Sequence, residues 1–450
     1  MIKKLTPVQL VVLSFLAVIF SGMILLMLPW ASNSRTIADP ITALFTSTSA
    51  TCVTGLVVVD TLDHWSLFGQ IVILLLIQIG GLGYMTISTF FLIFSNRRVT
   101  LRQRFLLKEG LNVYKLTGII SFAKTVFFTV LFFEGFGAVA LSIRFLKDYP
   151  ILRSIWMGIF HSVSSFCNAG FDIIGNFKSF IGYVNDMTVN TTVMILIVFG
   201  GIGFYVIWEI LNKIRDHFVS EERKKLSLHS KLVLRITGIL IIVGAIFIIL
   251  LEWNNPKTLG SLPLRGKILS SLFQSITPRT AGFNTLDIGT MTQATLLGTI
   301  ILMFIGGSPG GTAGGIKTTT FAVVIFLLLS AFREKTPITT SGRTIKLSVA
   351  RRAVFIMFFA ISIILIATFL ILIAQGRQFS FLQVLFEVTS AFGTVGLTTG
   401  ITPDLSQFSR IVIIATMFIG RVGPLSFILS LATRKESTQP EYPEEEVAVG

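Results

Sequence analysis

Four short, uncharged segments of the chain each end in glycine: Val53-Thr54-Gly55, Asn168-Ala169-Gly170, Thr280-Ala281-Gly282 and Thr394-Val395-Gly396. None carries an ionisable side chain, so the chemistry available to them is that of the backbone. Carbonyl oxygens aimed at a common axis can replace the hydration shell of an alkali cation. Glycine supplies the position where a side chain would obstruct such a lumen or forbid the required backbone angles. Divalent-selective pores tend to use carboxylate rings, so an uncharged carbonyl cage suits a large, weakly hydrated monovalent ion such as potassium.

The segments are not isolated. Each is led by a short Phe-containing stretch: "ALFTSTSAT", "GIFHSVSSF", "SLFQSITP" and "VLFEVTSAF". The interval from phenylalanine to glycine is ten residues at Phe45, Phe160 and Phe386 and nine at Phe273. A second element follows each glycine after 24 to 30 residues, as "IQIGGLGY" (Gly80), "IVFGGIGF" (Gly200), "MFIGGSPG" (Gly306) and "MFIGRVGP" (Gly420). Two motifs recurring four times in one order define an internal repeat of about 100 residues.

The elements that must position the segments follow from hydropathy. First apolar spans run over 8–30, 119–146, 231–253 and 349–375, and second spans over 66–94, 187–213, 290–330 and 408–433. The expected fold is an all-α polytopic membrane protein with eight transmembrane helices in four tandem helix, pore-helix, filter, helix repeats. The Phe-led segments have about 10 to 14 residues before the glycine, too short to cross a bilayer, and suit re-entrant half-helices. Irregular backbone at that depth is tolerated only where it lines water or is buried in protein, so the glycine turns should face one central cavity. The division is 1–94 (repeat 1), 119–213 (repeat 2), 231–330 (repeat 3) and 349–433 (repeat 4), with loops at 95–118, 214–230 and 331–348 and a polar acidic tail at 434–450.

Composition agrees: 52% of the residues are hydrophobic and 13% charged, and the mean hydropathy is +0.81. The first apolar run, Val8 to Trp30, has no small-residue cleavage site and reads as a full span. The net charge of +15 lies mainly in the segments between repeats, among them Arg97, Arg98, Lys213, Arg215, Arg333 and Arg351, which places these loops and both termini in the cytoplasm. Nucleic acid is therefore not the partner implied, and the positive-inside rule alone would equally account for loops that touch nothing. All four re-entrant segments then enter from outside. Their C-terminal helix ends, carrying partial negative charge, point to mid-membrane and favour a cation.

One inner span departs from the others. "IGGSPGGTAGGIKTTT", Ile305 to Thr320, holds six glycines and a proline, at about 1 kcal/mol per glycine and about 3 for proline relative to alanine in a helix. The helix must break there, into a gate under the filter or a static, water-lined kink. The gate reading takes in Gly306, Gly307, Gly310, Gly311, Thr312, Gly314, Gly315 and Lys317. Arg421 in the fourth repeat stands where the first two have Gly81 and Gly201. A buried arginine is expensive in a membrane helix, and its five donors could hold loop carbonyls while its charge repels cations. Lys317 either assists or snorkels to the cytoplasm.

Other residues carry less. Arg279 either braces the third pore helix by pairing with a carboxylate or is solvated at the mouth. Glu134 reads as a structural hydrogen bond or an ion relay. His64, His161, His217 and His229 are scattered without a ligand pair, and Cys52 and Cys167 are too few for a disulfide framework. No cluster of ionisable groups suits an enzyme, and the glycine-rich run lacks the strand-turn-helix setting of a nucleotide site. A secondary transporter with alternating access is the competing class; it would call for inverted repeats with helices broken near the midplane. Here the four repeats share an orientation and only one inner helix is expected to break.

On these motifs the chain resembles the Trk/Ktr/HKT superfamily of potassium transporters over nearly its whole length, most closely the membrane subunits of bacterial Ktr systems. The resemblance implies a single-file, channel-like potassium pathway in a bacterial cell membrane, with Gly55, Gly170, Gly282 and Gly396 in the filter and an intramembrane gating loop faced by Arg421. In HKT relatives serine at the first filter glycine goes with sodium preference, and glycine stands there in this chain. It further implies sodium stimulation, a homodimer with one pore per protomer, and a cytosolic nucleotide-binding RCK ring of KtrA or KtrC type.

Overall fold

The computed structural model describes residues 6–83, 119–219, 225–333, 338–340, 342–423 and 427. The acidic tail, the ends of the first and fourth inner spans and basic residues such as Arg97, Arg98, Arg223 and Lys335 lie outside the described residues. Helices dominate what is described, and the only strands among the described residues are a small antiparallel pair, β1 (Thr339–Thr340) and β2 (Arg343–Thr344).

Each repeat has an outer helix, a short pore helix and an inner helix. In the first they are α1 (Pro7–Met27), α2 (Pro40–Thr51) and, after the one-turn α3 (Thr61–His64), α4 (Leu67–Leu82). The second holds α5 (Ile119–Phe145), α6 (Ile151–Phe166), α7 (Met187–Gly201) and α8 (Phe204–Val219). The third holds α9 (Leu228–Glu252), α10 (Leu264–Ile276), α11 (Gln293–Phe304) and α12 (Thr318–Phe332), and the fourth α13 (Leu347–Gln375), α14 (Phe381–Gly393) and α15 (Gln407–Val422). Among the described residues, the four outer helices alone are continuous, long and apolar enough to cross a membrane. The pore helices have 12 to 16 residues, or about 18 to 24 Å, short of a roughly 30 Å hydrocarbon core.

Local sequence explains these boundaries. The inner helices start on side-chain caps: Ser66, Asp186, Thr292 and Ser406 each accept from the backbone N–H three residues on, a contribution of about 1 kcal/mol apiece. The recurrent pore-helix phenylalanines, Phe45, Phe160, Phe273 and Phe386, are fully buried. Two residues later, Ser47, Ser162 and Ser275 donate to the outer-helix carbonyls of Ile19, Glu134 and Ile241 at 2.6, 2.6 and 2.7 Å. Gly22, Gly137 and Gly244, three residues along, leave room for those hydroxyls: a Cβ at any of them would sit 2.4 Å from the serine oxygen. The same joint is thus built three times, while the fourth repeat has Val388 in place of the serine.

The inner helices differ from expectation. Each of the other three also stops shortly after its recurrent glycine motif, at Gly83, Gly203 and Gly423, all with left-handed φ (+78°, +95° and +89°). In the second repeat the chain resumes as α8 at 97° to α7. The expectation that only the third inner helix breaks is therefore corrected, and it can no longer argue against alternating access. The cause is a glycine three residues after the first of each motif, which ends the helix by adopting angles other residues resist.

Candidate ion pathway

The four glycine segments converge. A Cβ placed on Gly55 would lie 2.5 Å from the carbonyl oxygen of Ala169, on Gly170 2.7 Å from that of Ala281, on Gly282 2.3 Å from that of Val395, and on Gly396 2.2 Å from that of Thr54. Each glycine meets the segment of the next repeat, and the fourth meets the first. The repeats therefore stand in chain order around one axis and close on themselves. All four glycines have left-handed φ, of +89°, +69°, +80° and +93°, so a side chain would be excluded twice, by space and by backbone.

A second left-handed position precedes each glycine by two: Val53 (+58°), Asn168 (+58°), Thr280 (+77°) and Thr394 (+50°). The segments are therefore not plain extended strands. An extended strand turns successive carbonyls to opposite sides; alternating left-handed and ordinary residues can aim them to one. The arrangement costs about 1–3 kcal/mol per non-glycine residue, and three of the four are β-branched, for which such angles are least tolerated. Strain repeated at four equivalent positions points to a functional demand on the backbone.

Hydroxyls behind the segments support this backbone. Ser49 and Ser390 accept from the N–H of Gly55 and Gly396, both at 3.1 Å. At the equivalent positions Ser164 and Thr277 donate instead to the carbonyls of Phe171 and Phe283. The main-chain carbonyls of these residues accept from Thr54, Ala169, Val395 and, in the third repeat, Ala281. Thr277 lies five residues before its glycine and the others six, so the missing residue of the third copy falls in the turn between pore helix and glycine. The sequence motifs alone do not single out these residues; their signal is a Ser or Thr four positions after every recurrent phenylalanine.

At the predicted positions, the hydroxyls of Thr54, Thr280 and Thr394 are buried without a hydrogen-bond partner among the described residues. The Asn168 amide nitrogen donates to the carbonyls of Ile197 and Ser165, at 3.2 and 3.0 Å. Arg279 is buried and donates to Thr237 Oγ1 at 3.3 Å; among the described residues no carboxylate pairs with it, which corrects the bracing ion pair expected for it. Glu134 accepts from Gln78 Nε2 at 3.1 Å, joining the second outer helix to the first inner helix. His161 is part of the fold: its Nδ1 bonds the Met157 carbonyl at 2.7 Å while Nε2 accepts from Ile173 N–H.

Inner helices pack directly on pore-helix ends. A Cβ on Gly80, Gly200 or Gly420 would fall 1.9 to 2.0 Å from the carbonyl oxygen of Thr51, Phe166 or Phe392, which explains the first glycine of each motif. In the third repeat, the loop between α11 and α12 takes up this space. Ile305 and Ile316 pair across its base, Gly310 and Gly315 turn with left-handed φ of +73° and +62°, and a Cβ on Gly314 would meet Thr394 Oγ1 at 2.1 Å. The loop thus abuts the fourth glycine segment. Gly306 and Gly307 pack against Gly314 and Ala313 within it. Lys317 Nζ turns back to the carbonyls of Ala313 (2.6 Å) and Gly314 (3.3 Å). Arg421 donates to the carbonyls of Thr312, Gly80 and Gly81, so it binds the loop and the first inner helix together.

A TrkH family model, described as "Cation transport protein", matches residues 3–441. The Ktr system potassium uptake protein B of Bacillus subtilis is 40% identical over 447 residues, 99% of this chain and 97% of that protein. The potassium/sodium uptake protein NtpJ of Enterococcus hirae is 39% identical over 453 residues, 100% of this chain and 98% of that one. The fold is similar to the crystal structure of the potassium transporter TrkH from Vibrio parahaemolyticus, with a TM-score of 0.68 at 18% identity over 93% of this chain and 84% of that one. A cyclic fourfold repeat of outer helix, half-helix, glycine turn and broken inner helix is thus the architecture of a chain that belongs to the TrkH family of cation transport proteins.

Proposed function

We propose that this chain is the membrane subunit of a potassium uptake system, passing potassium in single file through the ring of Gly55, Gly170, Gly282 and Gly396. The observation that carries this reading is the closed ring itself: each left-handed glycine lies against the carbonyl segment of the next repeat. An uncharged ring of backbone carbonyls with four pore-helix C-termini directed at it favours a monovalent cation. The potassium uptake named for the Bacillus subtilis relative supports the choice of ion. Val53, Thr54, Asn168, Ala169, Thr280, Ala281, Thr394 and Val395 complete the filter, and the loop with Lys317 and Arg421 forms the barrier beneath it. Sodium stimulation, a homodimer in the bacterial cell membrane with cytoplasmic termini, and regulation by a cytosolic RCK ring of KtrA or KtrC type complete the reading.

The test is rubidium and potassium uptake in cells lacking their own potassium transport, comparing wild type with Gly55→Ser. The serine places a Cβ 2.5 Å from a neighbouring carbonyl at left-handed φ, and selectivity for potassium over sodium should fall. Unchanged uptake and selectivity would sink the filter assignment.

A further inference from the structure

The intramembrane loop is joined to one helix break in particular. Ser308 N–H donates to the Gly201 carbonyl at 2.9 Å, Thr312 N–H to the Gly200 carbonyl at 3.1 Å, and Phe204 N–H to the Gly310 carbonyl at 2.9 Å. The loop therefore uses the free carbonyls at the end of α7 and the free N–H at the start of α8, the groups that a broken helix leaves without partners. Packing is equally close. A Cβ on Gly203 would lie 2.5 Å from the Pro309 carbonyl oxygen, and one on Gly311 2.8 Å from that of Gly200. At Gly83 and Gly423, the matching breaks of the first and fourth repeats, a Cβ would meet nothing within 4 Å among the described residues. Thr312 is held from three sides: its N–H by Gly200, its hydroxyl by the Phe166 carbonyl at 3.1 Å, and its carbonyl by Arg421.

Helix α8 leaves this seat at 97° to α7, and its far side is tied to the cytoplasmic start of α9. Glu209 accepts from Ser227 N–H (2.7 Å), Ser227 Oγ (2.8 Å) and Ser230 Oγ, at the helix N-terminus where a carboxylate is favoured. Ser227 and Ser230, at the start of α9, therefore have a short mechanical path, through Glu209 and α8, to the loop carbonyl of Gly310.

We propose that the α7–α8 break is the seat that positions the loop across the pathway, and that α8 is the lever that lifts the loop off it. This rests on the loop being the barrier. Gly201, Gly203 and Gly311 are then positioning residues, required for the fit of loop to seat and not for contact with the ion. The second repeat becomes the one through which force from the cytoplasmic side reaches the gate.

A disulfide across the seat tests this. A Cβ on Gly201 lies 3.9 Å from that of Ala313, inside the range of about 3.5–4.5 Å that a disulfide needs. The double variant Gly201→Cys/Ala313→Cys, reconstituted as the full chain in liposomes and oxidised, should lose rubidium flux and regain it on reduction, while the flux of each single variant, whatever its level, should not respond to oxidant or reductant. Freeing the lever with Glu209→Ala should raise basal flux about two- to tenfold, the change expected from losing roughly one net hydrogen bond, with potassium-over-sodium preference unchanged. Ser227→Ala, which removes a donor to the same carboxylate, should act in the same direction. Full flux through the confirmed disulfide form overturns the seat. If Arg421→Ala still raises flux in that case, the loop remains the barrier with another seat; if it does not, the barrier reading fails as well. Wild-type flux in both Glu209→Ala and Ser227→Ala overturns the lever.

Discussion

Arg421, in the last turn of α15, donates from one guanidinium nitrogen to the Thr312 carbonyl of the glycine-rich loop and from the other to the carbonyls of Gly80 and Gly81. One side chain from the fourth repeat thus joins the third to the first. Its planar fork makes this possible, since several donors in fixed geometry can serve carbonyls on two separate segments at once.

Tether and charge can be separated here. Arg421→Ala removes both and should raise potassium flux in the absence of any cytosolic partner. Arg421→Lys keeps a positive charge but offers a compact ammonium that cannot span both segments; it should also raise flux, by a smaller factor. Rubidium efflux from liposomes measures each, and a lysine variant as tight as wild type would show that charge alone closes the pathway.

A second expectation concerns the hydroxyls behind the glycine ring. Ser390→Ala leaves the N–H of Gly396 without its acceptor in a buried setting, at a cost of about 1–3 kcal/mol. That is comparable to the strain stored at Thr394, so the segment should relax and potassium-over-sodium selectivity should fall at unchanged expression. Ser390→Thr keeps the acceptor and should restore selectivity. Competition of sodium against rubidium uptake reads the difference; equal selectivity in wild type and Ser390→Ala would mean the hydroxyl has no part in holding the ring.

Much of this architecture was legible because it is repeated. A single "TCVTGL" is a turn with a glycine, but with its three counterparts at nearly matched intervals it identifies both the glycines and the pore helices, and the ring joins the same residues. The helix breaks at Gly83, Gly203 and Gly423 were also written in the sequence, as a glycine three residues after the first of each motif, yet the apolar residues around them masked the signal. Hydropathy reports where a segment sits and is blind to backbone handedness, which is why left-handed Val53 and Thr280 were unforeseen: β-branched residues argue against that conformation. The partners of Arg279 and Arg421 depend on how separate repeats are brought together, and no local pattern encodes that.

The last expectation concerns stability and not transport. Glu252, fully buried at the end of α9, accepts from Thr292 N–H at 2.9 Å, Thr295 Oγ1 at 2.5 Å, Thr258 Oγ1 at 2.6 Å and Asn255 Nδ2 at 2.7 Å. It ties the outer helix of the third repeat to the start of the inner helix that carries the loop. Glu252→Ala leaves several of these donors unpaired, and with roughly 1.5–3 kcal/mol for each hydrogen bond to a charged group, only part of it recovered by relaxation, the loss should be about 3 kcal/mol or more. Glu252→Gln keeps an acceptor oxygen and should lose less. Thermal unfolding of the solubilised protein should rank wild type above glutamine above alanine, while folded protein of all three keeps the same preference for potassium over sodium. Altered preference without a change in unfolding temperature would place Glu252 in the ion pathway and overturn its role as a tie between helices.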